Sequence, residues 1–161
     1  MQGTRQKDIC KILYAAYIAS MLMQFSLFTI IPGTLIGIVA LLAAYGCRKR
    51  FSGTAFESHC RWLIRTFWIG GTVWLPVMTV IAAGVIFCMI DLTPIKQAME
   101  RGDMLSEIQI AQVIMENNAG LFQWTIWSLT GFFGAWWFLR CGIGLKHLLR
   151  GEEIPDVMRW A

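Results

Sequence analysis

Residues 29–34 read TIIPGT, and they stand near the middle of 36 consecutive residues without a charge, between Lys11 and Arg48. How this stretch is read decides the fold. One helix through it would be roughly 50 Å long at about 1.5 Å per residue, far more than a hydrocarbon core of about 30 Å requires. Proline removes a backbone donor and glycine permits a turn, so Pro32 and Gly33 predict a break. The stretch then divides into two crossings, 12–28 and 31–46, joined by a tight turn.

The flanking charges favour the same division. Arg5, Lys7 and Lys11 precede the stretch, and Arg48, Lys49, Arg50, Arg61 and Arg65 follow it. The positive-inside rule places both groups on the cytoplasmic side, which demands an even number of crossings. The basic start of the chain resembles a signal peptide, but its apolar region exceeds an h-region of about 7–15 residues, so a retained anchor is expected.

Two further uncharged runs, of 25 residues from Thr66 to Ile90 and of 23 from Asn117 to Leu139, are each long enough for the roughly 20 residues of a span. They predict crossings at 68–90 and 121–139, the last with a possible extension to Leu145. Between them, 91–120 carries Lys96 and Arg101 against Asp91, Glu100, Asp103, Glu107 and Glu116, and its poverty in basic residues places it outside. Arg140, Lys146, Arg150 and Arg159 return the chain to the cytoplasm. The expected fold class is therefore all-α, a polytopic protein of four transmembrane helices in one membrane domain over 1–161, with both termini cytoplasmic and an inserted external helical segment.

Composition agrees with that class. Of 161 residues, 57% are apolar and 15% charged, and the mean hydropathy of +0.56 lies outside the range of a soluble domain. The net charge of +4 sits beside the apolar runs rather than on a separable basic surface, so no nucleic-acid partner is expected. Trp62, Trp68, Trp124, Trp127, Trp136 and Trp137 fall mainly near the expected interfaces, as amphipathic rings should.

In the external segment, Thr93-Pro94 has the form of an N-cap followed by N1 proline, and Gly102-Asp103 separates two short helices. Leu105, Ile108, Gln112 and Met115 trace one helical side, a candidate docking surface for a membrane or periplasmic protein.

The entry to the third span, residues 57–70, reads ESHCRWLIRTFWIG. Phe56, Cys60, Leu63 and Phe67 share one face, while Glu57, Arg61 and Arg65 recur every four residues on another, with Glu57 in the favourable order before Arg61. A helix over 54–67 can lie along the cytoplasmic interface, its arginine stems reaching toward headgroups. Candidate interface or lipid-headgroup residues are Glu57, His59, Arg61, Trp62, Arg65, Trp68 and Arg140. His59 could titrate near neutral pH, although a hydrogen-bonding structural histidine is the plainer expectation.

Cys10, Cys47, Cys60 and Cys141 fall near cytoplasmic span ends and Cys88 near an outer end, which predicts no disulfide. Cys47, His59, Cys60 and Cys141 lack C-x-x-C spacing, so no metal site is expected. The spacings Gly33-x-x-x-Gly37, Gly131-x-x-Gly134 and Gly142-x-Gly144 offer small surfaces for close helix packing. There is no Walker loop, G-x-S-x-G or H-E-x-x-H, and no carboxylate lies within a span, so neither an enzyme, a cofactor nor a proton-coupled pump is expected.

Glu57, Ser58, His59, Arg61, Trp62, Ile64, Arg65, Thr66, Phe67 and Trp68 resemble the motif E-S-H-x-R-W-x-I-R-T-F-W of a family of small bacterial inner-membrane proteins. The similarity includes Lys11-Ile12-Leu13-Tyr14, Gly37 and Ala44-Tyr45 upstream. Downstream it takes in Trp137-Phe138-Leu139-Arg140, Gly144, Leu148, Gly151 and Pro155. The family is in turn distantly similar to the membrane core of the chloroplast import translocon. That resemblance implies a four-helix architecture in the bacterial inner membrane and names no chemistry; segment 91–121 departs from the short connection usual in the family. The expected function is a non-enzymatic subunit that binds lipids and other membrane or envelope proteins. The alternative is a transport or translocation component with Arg61, Arg65 and Arg140 around a basic cytoplasmic mouth.

Overall fold

The computed structural model describes residues 2–26 and 28–155, and every element of secondary structure among them is helical. In order these are α1 (Gln2–Met23), α2 (Ile30–Arg50), α3 (Ala55–Ile69), a π-helical turn (Gly70–Trp74), α4 (Leu75–Met89), α5 (Thr93–Glu100), α6 (Glu107–Asn117) and α7 (Ala119–Arg150). Arg159 lies outside the described residues.

The expected helical hairpin is present, but the break falls earlier than Pro32-Gly33. The chain leaves helix at Gln24 and re-enters at Ile30, with the Thr29 hydroxyl donating to the Met23 carbonyl at 2.6 Å. Pro32 sits in the first turn of α2, where its missing N–H would have had no intrahelical partner. Gly33 serves packing instead: a Cβ there would stand 2.7 Å from the Met23 Cβ and 3.0 Å from the Ser20 carbonyl oxygen of α1. The G-x-x-x-G surface is thus occupied inside the chain, with Gly37 also against Ser20.

Two helical runs, Ile30–Arg50 and Ala55–Met89, are long and apolar enough to cross a membrane. The other two expected crossings do not reach that standard, for different reasons. Helix α1 carries Arg5, Lys7, Asp8 and Lys11 in its first half. Helix α7 is long, but its tryptophans, glycines and hydroxyl residues dilute the apolar content. Because Glu57, His59, Arg61 and Arg65 crowd the first part of the 55–89 run, its apolar portion lies beyond Thr66.

The chain divides into two compact units. The first takes in residues 1–74 and 132–161, with a core of Tyr14, Tyr17, Met21, Leu41, Phe51, Trp62, Leu63, Trp137 and Leu148, all buried. Most of that core is aromatic or long aliphatic: Tyr17 stacks on Trp137 with centroids 5.7 Å apart, and Phe67 meets both edge-on. Helix α3 turns its Cys60-Leu63 face into this core, so the apolar side of the expected entry helix packs against protein.

The second unit, residues 75–131, is built differently. Of α4 only Met78 is buried. Asp91 and Asn118 close the base of the α5–α6 segment: the Asp91 N–H donates to the Asn118 side-chain oxygen at 2.7 Å, and the Asn118 amide donates back to the Asp91 carbonyl at 3.0 Å. Thr93 is the first residue of α5 rather than its cap. The Asp91 carboxylate accepts its N–H at 2.9 Å, and bonds from Thr93 and Asn117 hold that carboxyl below the usual range. Helix α6 opens with a capping box, Ser106 with Gln109, whose S-x-x-Q spacing was present in the sequence.

Candidate functional site

The polar residues that sequence assigns to a membrane interface are sorted by the structure into two sets. Glu57 and Arg61 form an ion pair one helical turn apart on the outside of α3, and Trp68 is 48% exposed, its indole N–H donating to the Tyr45 hydroxyl at 2.9 Å. His59, Trp62 and Arg140 are 1%, 2% and 1% exposed. As headgroup candidates these three are corrected: they belong to the core of the first unit. Trp137 likewise leaves the expected aromatic belt for the core, while Trp124 and Trp127 are exposed.

A tryptophan can be buried if its N–H finds an acceptor, and both do. Trp62 donates to the Arg140 carbonyl at 2.9 Å and Trp137 to the Tyr17 carbonyl at 3.2 Å, so each indole bridges two helices. Arg140 is held in turn by Trp62. Its guanidinium carbon lies 3.9 Å above that ring, with the Trp136 ring at 5.6 Å, and its Nε donates to Thr66 at 3.1 Å. The Thr66 hydroxyl passes its own proton to the Trp62 carbonyl one turn back, at 2.8 Å. A cation faced by a π-cloud in a desolvated site gains about 2 kcal/mol, which offsets part of its burial cost.

His59 sits in a directed chain of hydrogen bonds. Its Nε2 is 3.0 Å from the Glu152 backbone oxygen, which can only accept, so Nε2 carries the proton. Nδ1 is then the acceptor, and the Tyr14 hydroxyl, 3.2 Å away, donates to it. Burial is the largest influence on the imidazole and pushes its pKa down, against the opposing pull of the Glu152 carbonyl. The neutral ring is the form that this geometry fits.

The acceptor is delivered by a helix ending. Helix α7 closes with Gly151 at φ +74°, a left-handed position that favours glycine, and the Glu152 N–H bonds back to the His147 carbonyl at 3.0 Å. The reversed chain lays residues 152–154 on α3, where the Ile154 N–H donates to the Ser58 hydroxyl at 3.1 Å. The Glu152 carboxylate meets His147 at 3.1 Å. Tyr14 reaches the site across Gly144, where any Cβ would overlap its hydroxyl. Gly134 makes similar room for Phe25, whereas a Cβ on Gly131 or Gly142 would meet nothing.

Cys10, Cys60 and Cys141 are buried, and all five cysteines are free. Among the described residues no group of three or more His, Cys, Asp or Glu is placed to hold a metal. Two surface cavities beside the α2–α3 turn, of about 250 and 470 Å3, have none of His59, Arg140 or the cysteines in their walls. The buried bonds described above join α1, α3, α7 and the segment after it.

The expected docking side of the second unit is only partly outward. Ile108, Gln112 and Met115 are exposed, while Leu105, Ile110, Val113 and Ile114 are half-buried. Comparison of the chain with protein-family models, with curated proteins and with solved structures finds no match.

Proposed function

We propose that the protein is a non-enzymatic, multi-pass subunit of a bacterial inner membrane, binding lipid on its apolar helices and other membrane or envelope proteins through the second unit. The observation that carries this reading is the uncovered surface of the 55–89 run: only 6% of its most apolar stretch is buried. An apolar surface of that extent is incompatible with water and calls for lipid or protein around it. In this reading α1 and α7 complete four crossings, with their basic ends, and those of α2 and α3, on the cytoplasmic side.

The geometry of the first unit supports a structural role over a transport role. A basic mouth would need Arg61, Arg65 and Arg140 to face an open path. Arg61 is paired with Glu57, and Arg140 is stacked beneath Trp62 in the core.

Alkaline carbonate extraction followed by purification in mild detergent tests both halves of the proposal. Retention in the membrane pellet and co-purification of a companion lost on deleting residues 94–118 are expected. Release by carbonate would overturn membrane insertion, and a monodisperse monomer without companions would overturn the subunit role.

A further inference from the structure

We infer that the concave surface at the end of α2, lined by Tyr45, Arg48, Lys49, Ser52 and Glu57, is a binding site for the phosphate headgroup of an anionic phospholipid. The inference rests on the membrane reading above, since it takes the ligand from the bilayer. The cavity is about 470 Å3, room for a phosphodiester and its glycerol.

Four of its five lining residues offer donors. Among the described residues the side chains of Arg48, Lys49 and Ser52 make no hydrogen bond or ion pair, unlike Lys7, Lys11 and Arg61, which are each bonded within the chain. Tyr45 accepts the Trp68 indole proton, so its own hydroxyl proton is left to donate outward. An ammonium, a guanidinium and two hydroxyls around one concavity match the acceptor-only oxygens of a phosphate.

The fifth residue is a carboxylate, which would repel an anion if it were uncommitted. One Glu57 oxygen accepts the Gly53 N–H at 3.0 Å and the other the Arg61 guanidinium, so Arg61 offsets its charge, with Arg48 of the cavity a weaker electrostatic neighbour. The C-terminal end of α2 adds about half a negative charge, which the two cations of the cavity outweigh. The wall is also prebuilt. Phe51 is buried at the turn and meets Phe56 edge-on, and the Thr54 hydroxyl donates to the Phe51 carbonyl at 2.7 Å. Trp68, half-exposed and hydrogen-bonded to Tyr45 of the cavity wall, supplies an amphipathic ring suited to the glycerol level.

The test is lipid retention by the full chain in native mass spectrometry after reconstitution with phosphatidylglycerol or phosphatidylcholine. The parent chain should retain phosphatidylglycerol preferentially, and Arg48→Ala with Lys49→Ala should weaken that retention about tenfold or more. Lys146→Ala with Arg150→Ala removes the same charge elsewhere and should change it less than about twofold. Equal losses in both double variants, or no preference over phosphatidylcholine, would overturn the site. Displacement of the lipid by millimolar inorganic phosphate would assign the pocket to a soluble phosphate ester and overturn the lipid. A circular-dichroism spectrum identical to the parent's confirms that each variant folds. Carbonate release of the parent would instead sink the membrane reading, a separate outcome.

Discussion

The two units solve opposite problems with the same secondary structure. In the first, polar side chains are turned inward and bonded: His59, Trp62, Thr66 and Arg140 are buried with named partners. In the second, α4 buries only Met78, and its polar bonds gather where α4 hands over to α5 and α6 hands over to α7. The difference teaches what each kind of helix needs. A helix with an apolar circumference is stable wherever its surroundings are apolar. A helix such as α3, with charge on one side and histidine and threonine on another, requires a specific neighbour to complete it.

That contrast can be broken by substitution, and the largest effect should come from Trp62→Ala. It removes a core aromatic, deletes the indole bond that ties α3 to the Arg140 carbonyl and uncovers the guanidinium. A loss of about 3–5 kcal/mol is expected, read as failure to reach a folded state in detergent denaturation curves. Gly144→Val should cost about 1–3 kcal/mol, because Tyr14 occupies the space. At Gly151→Ala the positive φ alone is penalised, by about 1 kcal/mol, and the readout is a lower melting temperature with unchanged spectra.

A pH dependence sharpens the comparison further. His59 has its pKa lowered below the ordinary 6.5 by burial, so the unfolded chain binds the proton more readily than the folded one. Stability should be complete above about pH 6.5 and fall as pH drops through the window beneath it. His59→Gln should flatten that slope; an unchanged slope would remove His59 from the account. The smallest effect is expected in α4, where Val80→Ala should stay within about 0.5 kcal/mol, because this exposed side chain contributes little protein packing. A large loss there would mean that α4 packs against protein after all.

Much of this was legible before any coordinates. Uncharged length marked the helical runs, and the four-residue recurrence of Glu57, Arg61 and Arg65 marked the outer face of α3. The turn lies ahead of Pro32 and Gly33, because that pair carries two meanings, chain reversal and helix start with close packing, and only the neighbour Ser20 decides between them. His59 and Trp62 read as interfacial groups, since polarity at the end of an apolar run suggests a boundary; Thr66 lies on the same side of α3. Their spacing of three and four places them on one stripe away from Arg61, which was a usable signal for an inward face. Nothing local announces the Tyr14–Gly144 fit or the return of Glu152 to His59, because both depend on partners brought together only by the fold.

The bonds that seal the first unit span great distances along the chain: Tyr17 with Trp137 across 120 positions, His59 with Glu152 across 93, and Lys7 with Leu149 across 142. Synthesis runs from the N-terminal to the C-terminal side, so α1, α2 and α3 leave the ribosome well before their partners on α7 exist. During that interval His59 lacks the Glu152 carbonyl and Thr66 lacks the Arg140 guanidinium. The end of α7 therefore acts as a closing clasp on the helices made before it.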